Sequence, residues 1–481
     1  MDDKKLDELI ASALPPEPPD EVARGVTPWQ NSMRLILWGL GLCSVTFNFS
    51  GLNLILPSVG VLLMLLGFRR LRRANACFMA CYVITALKQL LCILMLVMNS
   101  TVFANAPEVT ELWDAITLPN TALTLLNSLL FWGGIRKVQQ RAGVPVHAGA
   151  AAALVVWQAL VLALSMIGAA LGIIFVVLML VFLGLVISSL YKLSRELDEA
   201  GYVIKAAPGL VPDTVLGACI AALTLGLMLC GYLFLSKYPM DWSEPETGGE
   251  SETRALLTEL GFPEDILADI SDEDVAECAG AKRVETVSVD GWGVDVQMVA
   301  VELPDRFGHW LTFHYFRLRD GLDYRTTEGI RLFSSYATDP AEGFWLQSGP
   351  VTGRVLYDGD SGTLSAPFAR ILDGAYTDTI IWGVQYNPTT YVEFSLPRQA
   401  QCVRGYVMHD MTSMRSYNGG VFIDSYMEFY HRDAVPTFPS KTAIDLYLKD
   451  GWQEHTQRMF MDYLYIYIED YWEQFSNEGV G

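Results

Sequence analysis

Ala76-Cys-Phe-Met-Ala-Cys-Tyr-Val-Ile-Thr-Ala-Leu-Lys88-Gln-Leu-Leu-Cys-Ile-Leu-Met-Leu-Val-Met98 holds a single charged residue, Lys88, in a run long enough to cross a bilayer. A helix needs about 20 apolar residues to span the hydrocarbon core, where its backbone amides must bond to one another because no water accepts them. Six more apolar runs surround it, at 33–47, 52–68, 115–131, 148–167, 169–190 and 214–235. The first two are short, which leaves open a thin or re-entrant hairpin turning at Ser50-Gly51. The stretch 148–190 is too long for one crossing, and Gly168 and Gly172 supply a turn between two. The expected architecture is a multi-pass α-helical membrane bundle of about seven spans.

Loop charge tests that count independently, because Lys and Arg collect on the cytoplasmic side. Arg24 and Arg34 flank the first span, Arg69, Arg70, Arg72 and Arg73 follow the second, Arg136, Lys137 and Arg141 the fourth, and Lys192, Arg195 and Lys205 the sixth. The alternate loops carry neither Lys nor Arg. Seven spans with a cytoplasmic N-terminus satisfy every loop, and an odd number places all that follows the last span outside the cell.

The spans carry little chemistry. Lys88 is the one charge deep in a span, and an intramembrane ion is a functional candidate by default. Asn127 is an amide able to bond it, while no Asp or Glu lies in a span interior, so proton-coupled pumping has poor support. Pro57 and Pro119 interrupt two spans. Cys77 and Cys81 share a helix face with no His nearby, which suits core packing rather than a metal. Ala218, Ala222 and Gly226 form a small-residue stripe, the usual mark of close helix packing or a homo-oligomer face.

The net charge of −21 belongs to the other half of the chain. From Lys237 onward lie 40 of the 54 acidic residues and only 18 of the 33 basic ones. Such a surface repels nucleic acid and anionic headgroups. Residues 236–251, with Pro239, Pro245, Gly248 and Gly249 among acids, suggest an exposed linker. Short helices follow over 252–282, where the acidic stretch 264–277 reads as a solvated face. From Arg283 the apolar period changes to two, giving about nine short strands separated by Asp290-Gly291, Asp320-Gly321, Asp358-Gly359, Asn387-Pro388 and Asn418-Gly419-Gly420. Strands without interleaved helices predict a mainly antiparallel β-sandwich, jelly-roll-like, with short flanking helices. Ser440 is placed to cap a last helix reaching Asp450, and 459–471 suits a strand or a helix equally.

Motif searching yields few sites. Gly359-Asp-Ser-Gly-Thr363 resembles the nucleophile loop of trypsin-like proteases but lacks the second Gly and an upstream His in the right setting, so a β-turn is the better reading. His309 and His314, five apart on a strand, point to opposite faces and cannot share an ion. His409 and His431 join either only through tertiary folding. No phosphate-binding glycine loop occurs, and no catalytic, cofactor-binding or metal residue is assigned.

Cys278 and Cys402, the two cysteines outside the spans, are a candidate disulfide if that domain lies in an oxidising exterior. Trp292, Trp310, Trp345 and Trp382 are candidate surface aromatics for stacking on a glycan; the competing reading is that they fill the sandwich core.

The N-terminal pattern Ala13-Leu-Pro-Pro-Glu-Pro-Pro-Asp-Glu-Val-Ala-Arg-Gly-Val-Thr-Pro-Trp29, running into Ile36-Leu-Trp-Gly-Leu40, resembles that of a group of uncharacterised multi-pass membrane proteins of anaerobic gut Firmicutes. The resemblance implies a bacterial plasma membrane and carries over no catalytic residue. The expected organisation is a cytoplasmic tail at 1–32, a helical bundle at 33–235, a linker at 236–251, short helices at 252–282, an extracytoplasmic sandwich at 283–439, and a C-terminal segment at 440–481 packing on it. The expected function is binding or sensing of a glycan or envelope protein; a transport component and an exported hydrolase are the alternatives.

Overall fold

The computed structural model describes residues 26–44, 51–167, 173–205, 211–249, 251–291, 293–306, 308–333, 345–360, 362–380, 383–413, 420–432, 437–450 and 457–469. The chain divides into two compact units, Met1–Gly231 and Tyr232–Gly481.

Seven long helices form the first unit among the described residues, one at each apolar run: α1 (Trp29–Ser44), α2 (Leu52–Leu71), α3 (Ala76–Met98), α4 (Pro107–Ala142), α5 (Gly149–Ile167), α6 (Ile173–Glu199) and α7 (Asp213–Phe234). Four stretches are long and apolar enough to cross a membrane: α2, α3, Val177–Glu199 of α6, and α7. The expected count of seven is thus met in helices but not in spans of full length and apolarity. α1 has only 16 residues. α4 has 36, a rise of about 54 Å, and carries Glu108, Glu111 and Asp114 near its start and Arg136, Lys137 and Arg141 near its end. The turn expected at Gly168 and Gly172 falls outside the described residues.

Contacts gather alternate helix ends at one rim. Arg69 and Arg70, ending α2, pair with Asp213 at the start of α7 at 2.8 and 2.6 Å. Asn75 caps α3 at Phe78 N and donates its amide to Gly134 O of α4 at 3.1 Å. Gln30 N of α1 donates to Asp198 of α6 at 3.0 Å, and beside it the short strands β1 (Val26–Pro28) and β2 (Val203–Lys205) pair antiparallel. The starts of α1, α3 and α7 therefore meet the ends of α2, α4 and α6, and Arg69, Arg70 and Arg141 lie at this rim. A buried cluster of Trp29, Phe68, Phe78 and Phe131 fills the space beneath it.

Close helix contact occurs at α1 and α2, not at the stripe expected on α7. A Cβ on Gly60 would stand 2.7 Å from Gly39 O, and one on Gly39 2.4 Å from Gly60 O, so the backbones touch where only hydrogen fits. Ala218, Ala222 and Gly226 are exposed, and nothing in the chain lies within 4 Å of a Cβ on Gly226.

The second unit is a two-layer sandwich of antiparallel strands. One sheet has five strands in the order β13-β12-β6-β10-β9: β13 (Gln457–Ile468), β12 (Val421–His431), β6 (Thr327–Phe333), β10 (Gly383–Ser395) and β9 (Arg370–Ile380). The other has six in the order β3-β4-β5-β11-β7-β8: β3 (Arg283–Asp290), β4 (Val294–Glu302), β5 (His309–Leu318), β11 (Gln401–Ser413), β7 (Trp345–Gly359) and β8 (Gly362–Pro367). Alternate residues of both, Val296, Met298, Phe316, Ile330, Val392, Val407 and Phe429 among them, meet in one core. That makes eleven strands where about nine are expected.

Several boundaries differ from expectation for physical reasons. Asn387-Pro388 is not a turn but lies inside β10, paired with Tyr376 and Ala375 of β9. Among the described residues β6 pairs with β10 from Thr389 on, which leaves Pro388 the one partner strand β9, a setting in which proline is tolerated. The ambiguous segment is strand β13, bonded to β12, so the sandwich reaches past 439. The last helix spans Ala443–Asp450 and is capped by Thr442, whose hydroxyl accepts Asp445 N at 3.0 Å, rather than by Ser440.

Nor is 236–251 a free linker. Lys237 donates to the carbonyls of Leu396 and Tyr324, Tyr238 donates its hydroxyl to Glu393 at 2.9 Å, and Ser243 bridges to Ser365. The short helices Glu252–Glu259, Glu264–Leu267 and Asp272–Ala276 cover the outer face of the six-stranded sheet through Leu257, Phe262 and Ile266. Glu264, Asp265, Asp272, Glu273 and Glu277 are exposed, as a solvated face requires, but two acids are clamped: Asp269 takes Tyr315 and Arg404, and buried Asp274 takes Ser271, Thr352 and Tyr406 hydroxyls.

Replacing Gly60 by Val drives a side chain into the α1 backbone and is expected to cost about 1–3 kcal/mol. Thermal unfolding of the purified full chain in detergent, followed by helical circular dichroism, should show a lower Tm than for a Val substitution at Gly226.

Candidate functional site

Lys88 opens onto a cavity of about 520 Å³ in the helical unit, walled by α1, α2, α3, α4 and α5. Its volume falls in the range typical of small-molecule pockets. α4 supplies the polar wall. Thr117, Asn120, Thr124, Asn127 and Ser128 recur at helical spacing, so all five share one stripe facing the cavity. That stripe is legible in the sequence as a helical period of amides and hydroxyls inside an apolar run, though only Asn127 stands out at first reading.

The structure brings Lys88 and Asn127 into one wall but does not bond them. The Lys88 ammonium donates to Thr124 Oγ1, one turn before Asn127, and Thr124 passes its own proton to Asn120 O at 2.8 Å. Asn127 is 5% exposed and its Oδ1 has no hydrogen-bond partner. Buried Trp113 Nε1 and Trp157 Nε1 are likewise without an acceptor, as is Thr85 Oγ1 without a partner. Glu111 and Asp114 do not line the cavity, and among the described residues Lys88 is the only charged one that does. The two prolines belong to this region. Pro57 lines the cavity and its carbonyl accepts Cys43 Sγ at 3.5 Å, while Pro119 sits inside α4 beside Asn120.

The remaining sequence candidates lie elsewhere. Trp310 is fully buried in the sandwich core, so it is no surface aromatic. Its even position on β5 puts it on the inner face with Phe316 and Leu318, and the outer face takes Leu311 and Phe313. Trp345 begins β7, and Trp292 and Trp382 fall outside the described residues. Cys278 is fully buried beneath the short helices, Cys402 is exposed, and both are free thiols. The Gly359 to Gly362 string is the hairpin joining β7 and β8.

His309 and His314 do point to opposite faces. His309 bonds Asp410 at 2.9 Å and Asp305, while His314 turns into the core against His409, ring centroids 4.9 Å apart. Burial pushes His409 down to about 4 and His314 well below its usual value, the neighbouring imidazole adding to the latter. His431 bonds Glu328 at 2.9 Å, whose carboxyl burial raises although His431 and Lys237 oppose the shift. No group of three His, Cys, Asp or Glu residues placed to hold a metal occurs among the described residues.

No family model matches the chain, and no curated protein matches it. Among solved structures the chain is similar to the collagen binding subdomain of the Enterococcus faecalis surface protein ACE, at 8% identity over 38% of this chain and 92% of that one, with a TM-score of 0.18. A likeness at that TM-score carries no argument.

The His pair sets an acid response. His409 ordinarily titrates near 6.5 and in the fold near 4, so the unfolded chain binds the extra proton and stability falls as pH drops from 6.5 toward 4. The loss attributable to His409 between pH 7.5 and 4.5 is roughly 2–3 kcal/mol. Denaturant unfolding of wild type and His409→Gln at both pH values checks it: the variant should lose less stability on acidification.

Proposed function

We propose that this chain is a polytopic plasma-membrane protein of the binding or sensing class, whose helical unit holds a ligand in the Lys88 cavity and whose acidic sandwich faces the exterior. The observation that carries the reading is the cavity itself: a built pocket with one cation and several buried polar atoms lacking partners, in helices made for lipid. In the proposed topology all seven helices cross, with the N-terminus in the cytoplasm. The basic rim supports it, since cytoplasmic loops concentrate Lys and Arg. The acidic sandwich, presented to a glycan or envelope protein, is the output or capture surface, and the outward stripe of Ala218, Ala222 and Gly226 is the face for a second copy. A transport component would use the same cavity and would differ by passing its ligand to the other side.

Cys402 makes the orientation testable, because it is exposed and free while Cys278 is buried. A membrane-impermeant maleimide added to intact cells should label the wild-type chain and fail to label Cys402→Ser. Labelling that depends on Cys402 but appears only after lysis would place the sandwich in the cytosol.

A further inference from the structure

The cavity has a charge imbalance that names its ligand. An ammonium carries three donated protons, and Lys88 has one acceptor among the described residues, Thr124 Oγ1. Among the described residues no carboxylate lines the wall to neutralise it. A lone ion taken out of water is costly even after relaxation, and a counter-charge in contact offsets that cost. Two further donors in the same wall, Trp113 Nε1 on α4 and Trp157 Nε1 on α5, are buried without acceptors. Against these stands one unpaired amide acceptor, Asn127 Oδ1, so among the described residues the wall still has more donors than acceptors and a net positive charge.

The other helices add mostly hydrocarbon, with Ser44, Asn53, Thr85 and Gln158 as uncharged polar groups among it. Leu40, Val61, Leu91, Ile116 and Val161 come from five different helices, so every wall of the cavity presents apolar surface. This combination discriminates among anions. An amino acid or other zwitterion would bring an ammonium that needs a carboxylate, and the wall has none. A dianion such as inorganic phosphate would bring more negative charge than one lysine balances and no surface to bury against the leucine and valine side.

We propose that the cavity binds a monocarboxylate with an apolar body, its carboxylate on Lys88 and its hydrocarbon against the leucine and valine wall; this rests on the reading of the cavity as a ligand site. The carboxylate accepts from the ammonium and from the indole N–H groups, and the pair of opposite charges replaces an isolated one. Such an acid reaches the site from water as a short apolar acid or from the bilayer as a fatty acid. The shared chemistry is the single carboxylate on a hydrocarbon body.

The test uses the full chain purified in detergent, with scintillation-proximity binding of radiolabelled decanoate. Unlabelled decanoate, benzoate, decanol and phosphate compete. Saturable binding displaced by decanoate but not by decanol or phosphate supports the proposal. Displacement by benzoate at similar concentration identifies a water-borne acid, and its failure a lipid-derived one. Lys88→Met should weaken decanoate binding at least tenfold, while Lys88→Arg, which keeps the charge, should stay within about threefold of wild type. Gly226→Val, on the exposed face of α7 outside the cavity lining, should bind as wild type does, and a helical circular dichroism melt of Lys88→Met that matches wild type shows that lost binding is not lost fold; should that variant unfold, the Lys88→Arg result and the decanol competition decide the proposal. Equal binding of decanoate and decanol by wild type would overturn the carboxylate class while leaving an apolar ligand pocket intact. Saturable binding of none of the probes would overturn both the class and the ligand site.

Discussion

Water's absence is the constraint on which this molecule is built. In hydrocarbon every amide must find its partner within the segment, which forces the apolar runs into helices, and every charge must find a counter-charge or reach the rim. The distribution of charge in the helical unit follows from that rule. Arginines stop at helix ends, where Arg69 and Arg70 share Asp213. Arg72 and Arg136 lie over the Tyr82 and Trp132 rings. Lys88 alone breaks the pattern, and it does so beside a cavity.

The sandwich obeys the same rule under milder terms. Its buried ions occur in partnered groups: Arg331 with Glu428 at 2.9 Å, itself bonded by Tyr430, and Glu393 with Tyr238 and Arg370. Burial raises the Glu393 carboxyl, opposed by bonds from Thr442 and Tyr238. Breaking one member of such a pair leaves an uncompensated charge, commonly at a cost of about 3–5 kcal/mol. These groups also tie the residues just after the last apolar helix, Lys237 and Tyr238, to β10 and the loop beyond it. A segment that composition marks as a solvated linker is thus part of the domain it precedes.

Legibility from sequence tracked the range of the interaction concerned. The apolar runs, the switch from helical to alternating period at Arg283, the opposite faces of His309 and His314, and the hairpin at Gly359 all depend on neighbours a few residues away. The seat of close helix packing does not. Gly39 and Gly60 meet because two helices cross there, while the more conspicuous stripe on α7 is exposed. Likewise Pro388 reads as a turn until its pairing with Ala375 of β9 places it in a strand.

The sequence by itself determined that the chain holds lipid-compatible helices followed by an acidic β-domain, and that Lys88 is an isolated charge in an apolar run, because length, period and charge are local properties. Only the tertiary structure decided what surrounds that charge. Thr124 reaches Lys88, and Trp113 and Trp157 line the same cavity, through the packing of α3, α4 and α5, and Trp310 went into the core through the packing of two sheets. Which side chains share a space is fixed by how elements pack, and no residue encodes that alone.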